Sequence, residues 1–250
     1  MGDIQTHYRD CNICEAMCGL VIEHRDGAVL SIKADKEDPL SRGHICPKAV
    51  ALQDFYQDPE RLKTPVRKTA DGWENIGWDE ALSEVVERLQ TLQAAHGKDA
   101  LGFYAGNPNS HKLGNSMTLP GLFRALGTRN CYSATSADQL PHHVAANYMF
   151  GASWVMPIPD IDHTDYMLII GGNPVVSNGS MMTAPGIPAR LKAIKERGGK
   201  VVVIDPRFTE TSRLATEHLY IRPEQDSFLF LAMIQTLVQQ ERVDFGHLAP

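Results

Sequence analysis

Cysteines near the start of the chain are the residues best suited to chemistry. Four of the five cysteines lie in the first 46 of 250 residues. They are Cys11, Cys14, Cys18 and Cys46, in the spacing C-x2-C-x3-C-x27-C. Three close thiolates and a remote fourth suit the corners of an iron–sulfur cube, whereas structural zinc usually takes two separate C-x2-C pairs. A [4Fe-4S] cluster is therefore the favoured interpretation, with zinc as the alternative.

The composition and the N-terminus limit the compartment and the partners. Two disulfides would be the default in an oxidising compartment, but residues 1–10 are polar and lack the apolar core or twin arginine of an export signal. We therefore expect a cytoplasmic protein, and no apolar run approaches the roughly 18 residues of a membrane span. Lysine and arginine (24) against aspartate and glutamate (30) give a net charge of −6, which predicts no nucleic-acid partner.

Two further residues can be interpreted from their sequence neighbours. Lys48 follows the fourth thiolate in Cys46-Pro47-Lys48. A loop lysine is ordinarily just solvated, but this one would place a cation beside the metal centre, where it could stabilise added electron density. The fifth cysteine, Cys131, lies outside this group and is expected to be a buried thiol.

Two segments follow apolar runs in the way that ligand-binding loops follow strands in an open α/β sheet. They are Gly171-Gly172-Asn173-Pro174, after residues 166–170, and Asp205-Pro206-Arg207, after residues 200–204. Glycine lets a backbone approach phosphate, aspartate can accept from a ribose or a base edge, and arginine can pair with phosphate. Each segment alone is also typical of a turn, so a nucleotide site depends on both.

The elements that must position these residues change along the chain. Residues 19–34 alternate around Asp26-Gly27, which predicts a hairpin in a small β-rich module. Apolar residues then recur at helical spacing from a predicted N-cap at Asp79 to a stop at Gly97. Beyond it, strands are predicted near residues 100–104, 166–170, 200–205 and 218–222. Helices are predicted to end at Gly127 and to span residues 140–150, 187–197 and 226–240. Continuously apolar strands that alternate with helices indicate an α/β protein with a mainly parallel sheet.

An ordered set of motifs carries a family resemblance. The set comprises the cysteine run followed by Gly19-Leu20, then Cys46-Pro47-Lys48, Arg61-Leu62-Lys63-Thr64-Pro65, Gly72-Trp73, Trp78-Asp79-Glu80-Ala81, Gly172-Asn173-Pro174 and Asp205-Pro206-Arg207. It resembles the N-terminal part of the molybdopterin oxidoreductases of the dimethyl sulfoxide reductase type, which include formate dehydrogenases, nitrate reductases and polysulfide reductases. The resemblance covers almost the whole chain and favours the cluster over zinc.

The resemblance implies a particular fold and particular cofactors. The expected fold is α/β, with a small β-rich [4Fe-4S] domain at residues 1–62, a first α/β segment at 63–137, and a partial dinucleotide-binding-like domain at 138–250. Family catalytic subunits are much longer. The chain therefore resembles a fragment, in which the molybdopterin oxidoreductase fold is incomplete. The implied cofactors are the cluster and a bis-molybdopterin guanine dinucleotide that carries molybdenum or tungsten.

The resemblance also assigns roles to individual residues. Lys48 matches the family's lysine between cluster and pterin. One guanine dinucleotide is expected to contact Gly172, Asn173, Asp205, Arg207 and Asp226. The segment Arg222-Pro223-Glu224-Gln225-Asp226 departs from the family's usual Arg-Pro-Gly-Thr-Asp, and the lost glycine puts the local backbone path in question.

The protein ligand to molybdenum is the most diagnostic position of this family. Counting forward from Gly127 and back from Gly151 with the spacing of the formate dehydrogenase branch, both counts reach Asp138. Ser136 or Thr135 takes the role if the register differs by two or three residues. Without the family context, Asp138 would be interpreted as the N-cap of the following helix.

These expectations together predict a function. The protein is expected to be a molybdopterin-dependent oxidoreductase, or its N-terminal part, that moves electrons between a small-molecule substrate and an external carrier or redox subunit through the cluster. The alternatives are a cluster-bearing electron-transfer or assembly subunit without molybdenum, and a non-redox hydratase on the same scaffold. The sequence does not name the substrate.

Overall fold

The computed structural model describes residues 2–106, 109, 111–179, 184–244 and 246. Internal contacts divide the chain into two units, Met1–Ile158 and Pro159–Pro250, and each is described by itself. The domain boundaries expected after residues 62 and 137 stay predictions. Both units combine helices with strands, and the expected α/β class is confirmed.

The first unit begins with an antiparallel sheet of three strands in the order β1-β2-β3. They are β1 (Gln5–Asp10), β2 (Gly19–Arg25) and β3 (Ala28–Ala34). The predicted hairpin is confirmed, and its turn is made by Asp26 and Gly27, whose φ values of 48° and 82° suit a tight two-residue connection. Strand β1 was not predicted, because all six of its residues are exposed and its sequence lacks an apolar face.

Helices and a second hairpin follow. They are α1 (Pro47–Val50), α2 (Leu52–Gln57), β4 (Val66–Lys68), β5 (Trp73–Asn75) and α3 (Trp78–His96). Helix α3 ends at Gly97 as predicted, with φ 82°, but its N-cap is Gly77 rather than Asp79. Asp79 instead lies in the first turn, where a negative side chain interacts favourably with the helix dipole.

The rest of the first unit is built around two parallel strands. Its elements are β6 (Phe103–Ala105), α4 (Leu113–Leu126), β7 (Cys131–Ser133), α5 (Thr135–Asp138) and α6 (Leu140–Phe150). Strands β6 and β7 pair in parallel, with Phe103 opposite Cys131. The expectation of a buried Cys131 is wrong, because the side chain lies on a short two-stranded ladder and is exposed.

The second unit is a parallel sheet with helices. Its elements are β8 (Tyr166–Ile170), α7 (Pro174–Ser177), α8 (Ile187–Glu196), β9 (Lys200–Ile204), β10 (Glu217–Leu219) and α9 (Asp226–Gln239). The strand order is β10-β9-β8, and both pairings are parallel. Residues 201–204 of the central strand β9 are all buried, which explains why that strand is continuously apolar in sequence.

Helix α8 closes the core of the second unit. Ile187, Leu191 and Ile194 recur at helical spacing and are fully buried together with Val201 and Val203 of β9. This packing fixes the sheet from whose carboxyl edge the predicted nucleotide loops emerge. No helix in the described part of the chain is both long enough and apolar enough to span a bilayer.

We expect Leu191→Ala to destabilise the second unit by about 2–5 kcal/mol, because the change removes a fully buried side chain and leaves a cavity. Urea unfolding followed by circular dichroism would measure the loss. Lys192→Ala is the matched control, since Lys192 is the next residue on α8 and is exposed. Equal effects of the two changes would contradict the core assignment.

Candidate metal and cofactor sites

The first and third cysteines face each other across the ends of β1 and β2. The backbone N–H of Cys11 donates to the carbonyl of Cys18 at 2.8 Å, which continues the ladder between the two strands. Between them the chain makes a turn in which the N–H of Met17 donates to the carbonyl of Cys14 at 3.2 Å. Met17 has φ 41°, in the left-handed region. The ladder and the turn therefore hold three thiols in one short loop.

A second loop brings the fourth cysteine back to this site. Cys46 is the N-cap residue of α1. The preceding loop is held at Ser41, whose hydroxyl accepts from the N–H of Gly19 at 3.1 Å and donates to Asp38 at 2.6 Å. The hydrogen bonds from Ser41 also lower the pKa of the Asp38 carboxyl below its usual value. Ser41 and Asp38 thus hold the loop of Cys46 beside the start of β2, a role that the sequence analysis did not identify.

The four thiols form one group that is at least partly buried among apolar neighbours. Cys11 and Cys18 are buried, and Cys14 and Cys46 pack against the same cluster. Burial, followed by the charges of the other three thiolates, raises the pKa of Cys18 to about 11. Burial likewise raises the pKa of Cys11. Four neighbouring thiolates repel one another unless a positive centre lies among them, so the donor set fits a metal cofactor.

The state of the cysteines bears on the alternatives raised by the sequence. All five are free, so the disulfide arrangement is not formed. Among the described residues, no three His, Cys, Asp or Glu side chains are grouped closely enough for a single metal ion. An iron–sulfur cube bonds its thiolates at four separate irons, so its ligands need not converge on one point.

Lys48 lies on α1, two residues after Cys46, and its side chain is exposed. Within the described part of the chain it makes no ion pair or hydrogen bond. Its ammonium group is therefore available to a cofactor, and its role between cluster and pterin stays a prediction.

The predicted molybdenum ligand lies just beyond the carboxyl end of β7, on α5. Asp138 is exposed, and its carboxylate has no hydrogen-bond or ion-pair partner among the described residues. Ser136, in contrast, has its hydroxyl 3.5 Å from the carbonyl of Ser133, in donating geometry. The N-cap interpretation of Asp138 is wrong, because it is the last residue of α5 and Gln139 caps α6. Among the three candidates, Thr135 included, the choice of ligand stays a prediction.

The two predicted nucleotide loops are joined at the carboxyl edge of the second sheet. Gly171 has φ 64°, and its N–H donates to the carbonyl of Ile204 at 2.9 Å. The side-chain oxygen of Asn173 accepts from the Thr211 hydroxyl at 2.7 Å, and its amide nitrogen donates to Glu210 at 2.8 Å. Asn173, in the loop after β8, thereby fastens that loop to the one after β9.

The second of these loops is organised by Asp205. This residue is 8% exposed, and its carboxylate accepts from the N–H of Arg207 at 2.7 Å. The exposed guanidinium of Arg207 lies 3.8 Å from the Glu210 carboxylate. The hydrogen bond from Asn173, more than the charge of Arg207, lowers the pKa of Glu210. Glu210 and Thr211 were missed by the sequence analysis, although they lie only three and four residues after Arg207.

Gly172 and Asp226 complete the predicted dinucleotide set. A Cβ on Gly172 would come within 3.3 Å of the Ile169 side chain, so the loop runs close to the sheet there. Asp226 is the first residue of α9, which follows the parallel strand β10. Glu224 adopts φ 68°, the left-handed conformation that glycine favours. The chain therefore takes a glycine-like backbone conformation at the position where the family has glycine.

Comparisons with known proteins identify the family. Residues 5–58 match the molybdopterin oxidoreductase Fe4S4 domain, and residues 61–244 match the molybdopterin oxidoreductase family. The chain is 29% identical over 236 residues to the F420-dependent formate dehydrogenase subunit alpha of Methanocaldococcus jannaschii, covering 94% of this chain and 33% of that protein. It is also 29% identical over 236 residues to a nitrate reductase of Symbiobacterium thermophilum, covering 92% of this chain and 30% of that protein.

Among solved structures, acetylene hydratase from Pelobacter acetylenicus is similar with a TM-score of 0.77 at 26% identity, covering 94% of this chain and 32% of that one. The chain thus spans about a third of the length of the relatives that it matches.

The chain belongs to the molybdopterin oxidoreductase family. Its two matched domains are those for a [4Fe-4S] cluster and a molybdopterin cofactor, which confirms the expected classes of cofactor. The domain matched over residues 5–58 contains all four clustered thiols and favours an iron–sulfur cluster over zinc.

We expect serine at any one of the four clustered cysteines to reduce or abolish the iron content of the full-length protein. The wild type, purified anaerobically, should be brown with about four irons per chain. Cys131→Ser is the matched control and should keep full iron and colour, because Cys131 is exposed and outside the thiol group. Iron analysis and visible absorption give the answer, and stoichiometric zinc without iron would contradict the assignment.

Proposed function

We propose that the full protein is a molybdenum or tungsten enzyme that transfers electrons between a small-molecule substrate and an external carrier or redox subunit. The observation that carries this proposal is the gathering of four free thiols on the same chain as the molybdopterin region. A cluster at that point gives electrons a route away from a pterin-bound metal. The cytoplasmic location expected from the sequence stays a prediction.

The proposed cofactor is a bis-molybdopterin guanine dinucleotide. When bound, its metal supplies two-electron chemistry, and the cluster passes electrons singly. We assign one guanine dinucleotide to the carboxyl edge of the β8–β9–β10 sheet. There Arg207 offers an exposed cation to phosphate, and the buried carboxylate of Asp205 fixes the loop that presents it.

Asp226 is assigned to the same dinucleotide. It begins α9, where backbone N–H groups at the helix N-terminus also favour an anion. Gly172 and Asn173 supply the backbone of the facing loop.

The free carboxylate of Asp138 bears on the reaction class. A carboxylate is a hard donor that suits a high-valent metal, whereas a thiolate is softer and more electron-donating. We therefore propose oxygen-atom transfer to or from a small molecule in preference to formate oxidation. Similarity to acetylene hydratase favours one second candidate, a non-redox hydratase on the same scaffold.

Metal analysis of the full-length protein separates the candidates. The proposal requires iron together with molybdenum or tungsten, and turnover that reduces or oxidises an artificial electron carrier. Iron without either metal would indicate an electron-transfer or assembly subunit. Both metals, with water added to the substrate and no electrons exchanged, would indicate the hydratase.

Asp138→Ala should remove one light-atom ligand from the metal and abolish turnover, because the carboxylate is free to coordinate. X-ray absorption on the full-length variant measures this ligand beside the sulfurs of the pterins. Ser136→Ala is the matched control and should leave the coordination unchanged. If Ser136→Ala alters the coordination and Asp138→Ala does not, the register is displaced by two residues and Ser136 is the ligand.

Lys48→Ala should leave the iron content intact and slow turnover with an external electron acceptor, because a cation beside Cys46 would favour electron movement between pterin and cluster. Steady-state kinetics with a dye acceptor measures the rate. Lys36→Ala removes another exposed lysine of the cluster domain and should have no effect. Wild-type turnover in Lys48→Ala would exclude the proposed role.

A further inference from the structure

An acidic side chain lies inside the loop that carries three of the thiols. Glu15 directly follows Cys14 and is the second residue of the turn that the N–H of Met17 closes onto the carbonyl of Cys14. Its side chain is only 24% exposed. The chain therefore fixes a carboxylate one residue from a cluster ligand, partly shielded from water.

A histidine from the molybdopterin region reaches this carboxylate. His111 lies within residues 61–244, and its Nε2 is 3.8 Å from Oε1 of Glu15. Its side chain is 8% exposed, and the buried Nε2 has no hydrogen-bond partner among the described residues. A buried polar nitrogen without a partner costs free energy, so its position facing a carboxylate requires an explanation.

The charges of this pair act on the neighbouring redox centre. Reduction adds an electron to a centre that already carries four thiolates, and a nearby carboxylate opposes that addition. An imidazole N–H that faces the carboxylate offsets part of its field. Both side chains are largely screened from solvent, so the interaction is weakened less than it would be at a fully exposed surface.

We propose that Glu15 and His111 form a carboxylate–imidazole pair that sets the reduction potential of the [4Fe-4S] cluster. The step concerned is the uptake of one electron by the cluster from the reduced pterin centre or the external carrier, with no bond formed or broken. Neither side chain is a cluster ligand, and both act through their charge and position. The inference depends on the cluster and not on the substrate or on the ligand to molybdenum.

The test is a potentiometric titration of the full-length protein with redox dyes at one fixed pH, in which electron paramagnetic resonance measures the reduced cluster. Glu15→Gln should shift the midpoint potential to a more positive value, because a negative charge is removed. His111→Phe should shift it to a more negative value, because the carboxylate is then unopposed. The two shifts have opposite signs, which simple loosening of the loop would not produce.

Two further variants and a measurement of the iron content complete the design of this experiment. His111→Gln keeps an N–H donor and should return the potential toward the wild-type value. Glu60→Gln makes the same charge change on an exposed turn just after the matched Fe4S4 domain and should leave the potential unchanged. Iron analysis checks that each variant retains its cluster. An unchanged potential in both Glu15→Gln and His111→Phe, or shifts of the same sign, would overturn the proposal.

Discussion

Mutual repulsion among four thiolates is the constraint on which the N-terminal part of the structure depends. Burial first, and then repulsion from the other three thiolates, raises the pKa of the Cys18 thiol to about 11. The fold opposes this repulsion with backbone hydrogen bonds, from Cys11 to Cys18 and from Met17 to Cys14. A bound cluster would supply the positive centre that these four cysteines need in order to bind as thiolates, which would couple its binding to the stability of this loop.

The second unit must also hold separate loops together, but without charge repulsion. Parallel strands deliver their following loops to one sheet edge, but the loops still need to be fixed relative to each other. Asn173 does this by bonding to Thr211, which is fully buried, and to Glu210. The polar contacts of this edge are thus used to fix the backbone, and the exposed guanidinium of Arg207 remains facing solvent.

The sequence predicted helices and strands correctly where hydrophobic periodicity or a turn motif indicated them. The 19–34 hairpin, the buried β9 strand and the ends of α3 and α4 at Gly97 and Gly127 all agree with the structure. The predictions failed where a local sequence pattern was compatible with two different structures. Asp138 precedes a helix, yet it ends a short helix of its own, and Cys131, which was expected to be buried, lies in a short strand with exposed residues.

Contacts between residues far apart in the chain could not be predicted from the sequence. The pairing of Glu15 with His111 joins residues far apart in the chain, and the fastening of Asn173 to Thr211 does the same in the second unit. No periodicity or turn rule encodes either one. Spacing did predict the cysteine site, because three of its members lie in one loop.

Glu224 shows why a departure from a family motif need not change the backbone. A non-glycine residue in the left-handed region costs roughly 1–2 kcal/mol, yet Glu224 takes φ 68° there. The residues on either side explain how this conformation is held: Pro223 has a fixed φ, and α9 begins at Asp226, two residues later. The turn is thus set by its flanking elements, and glycine is the residue that adopts it with the least strain. Asp226 is the first residue of α9, and the energetic cost of the left-handed Glu224 falls on the turn that precedes it.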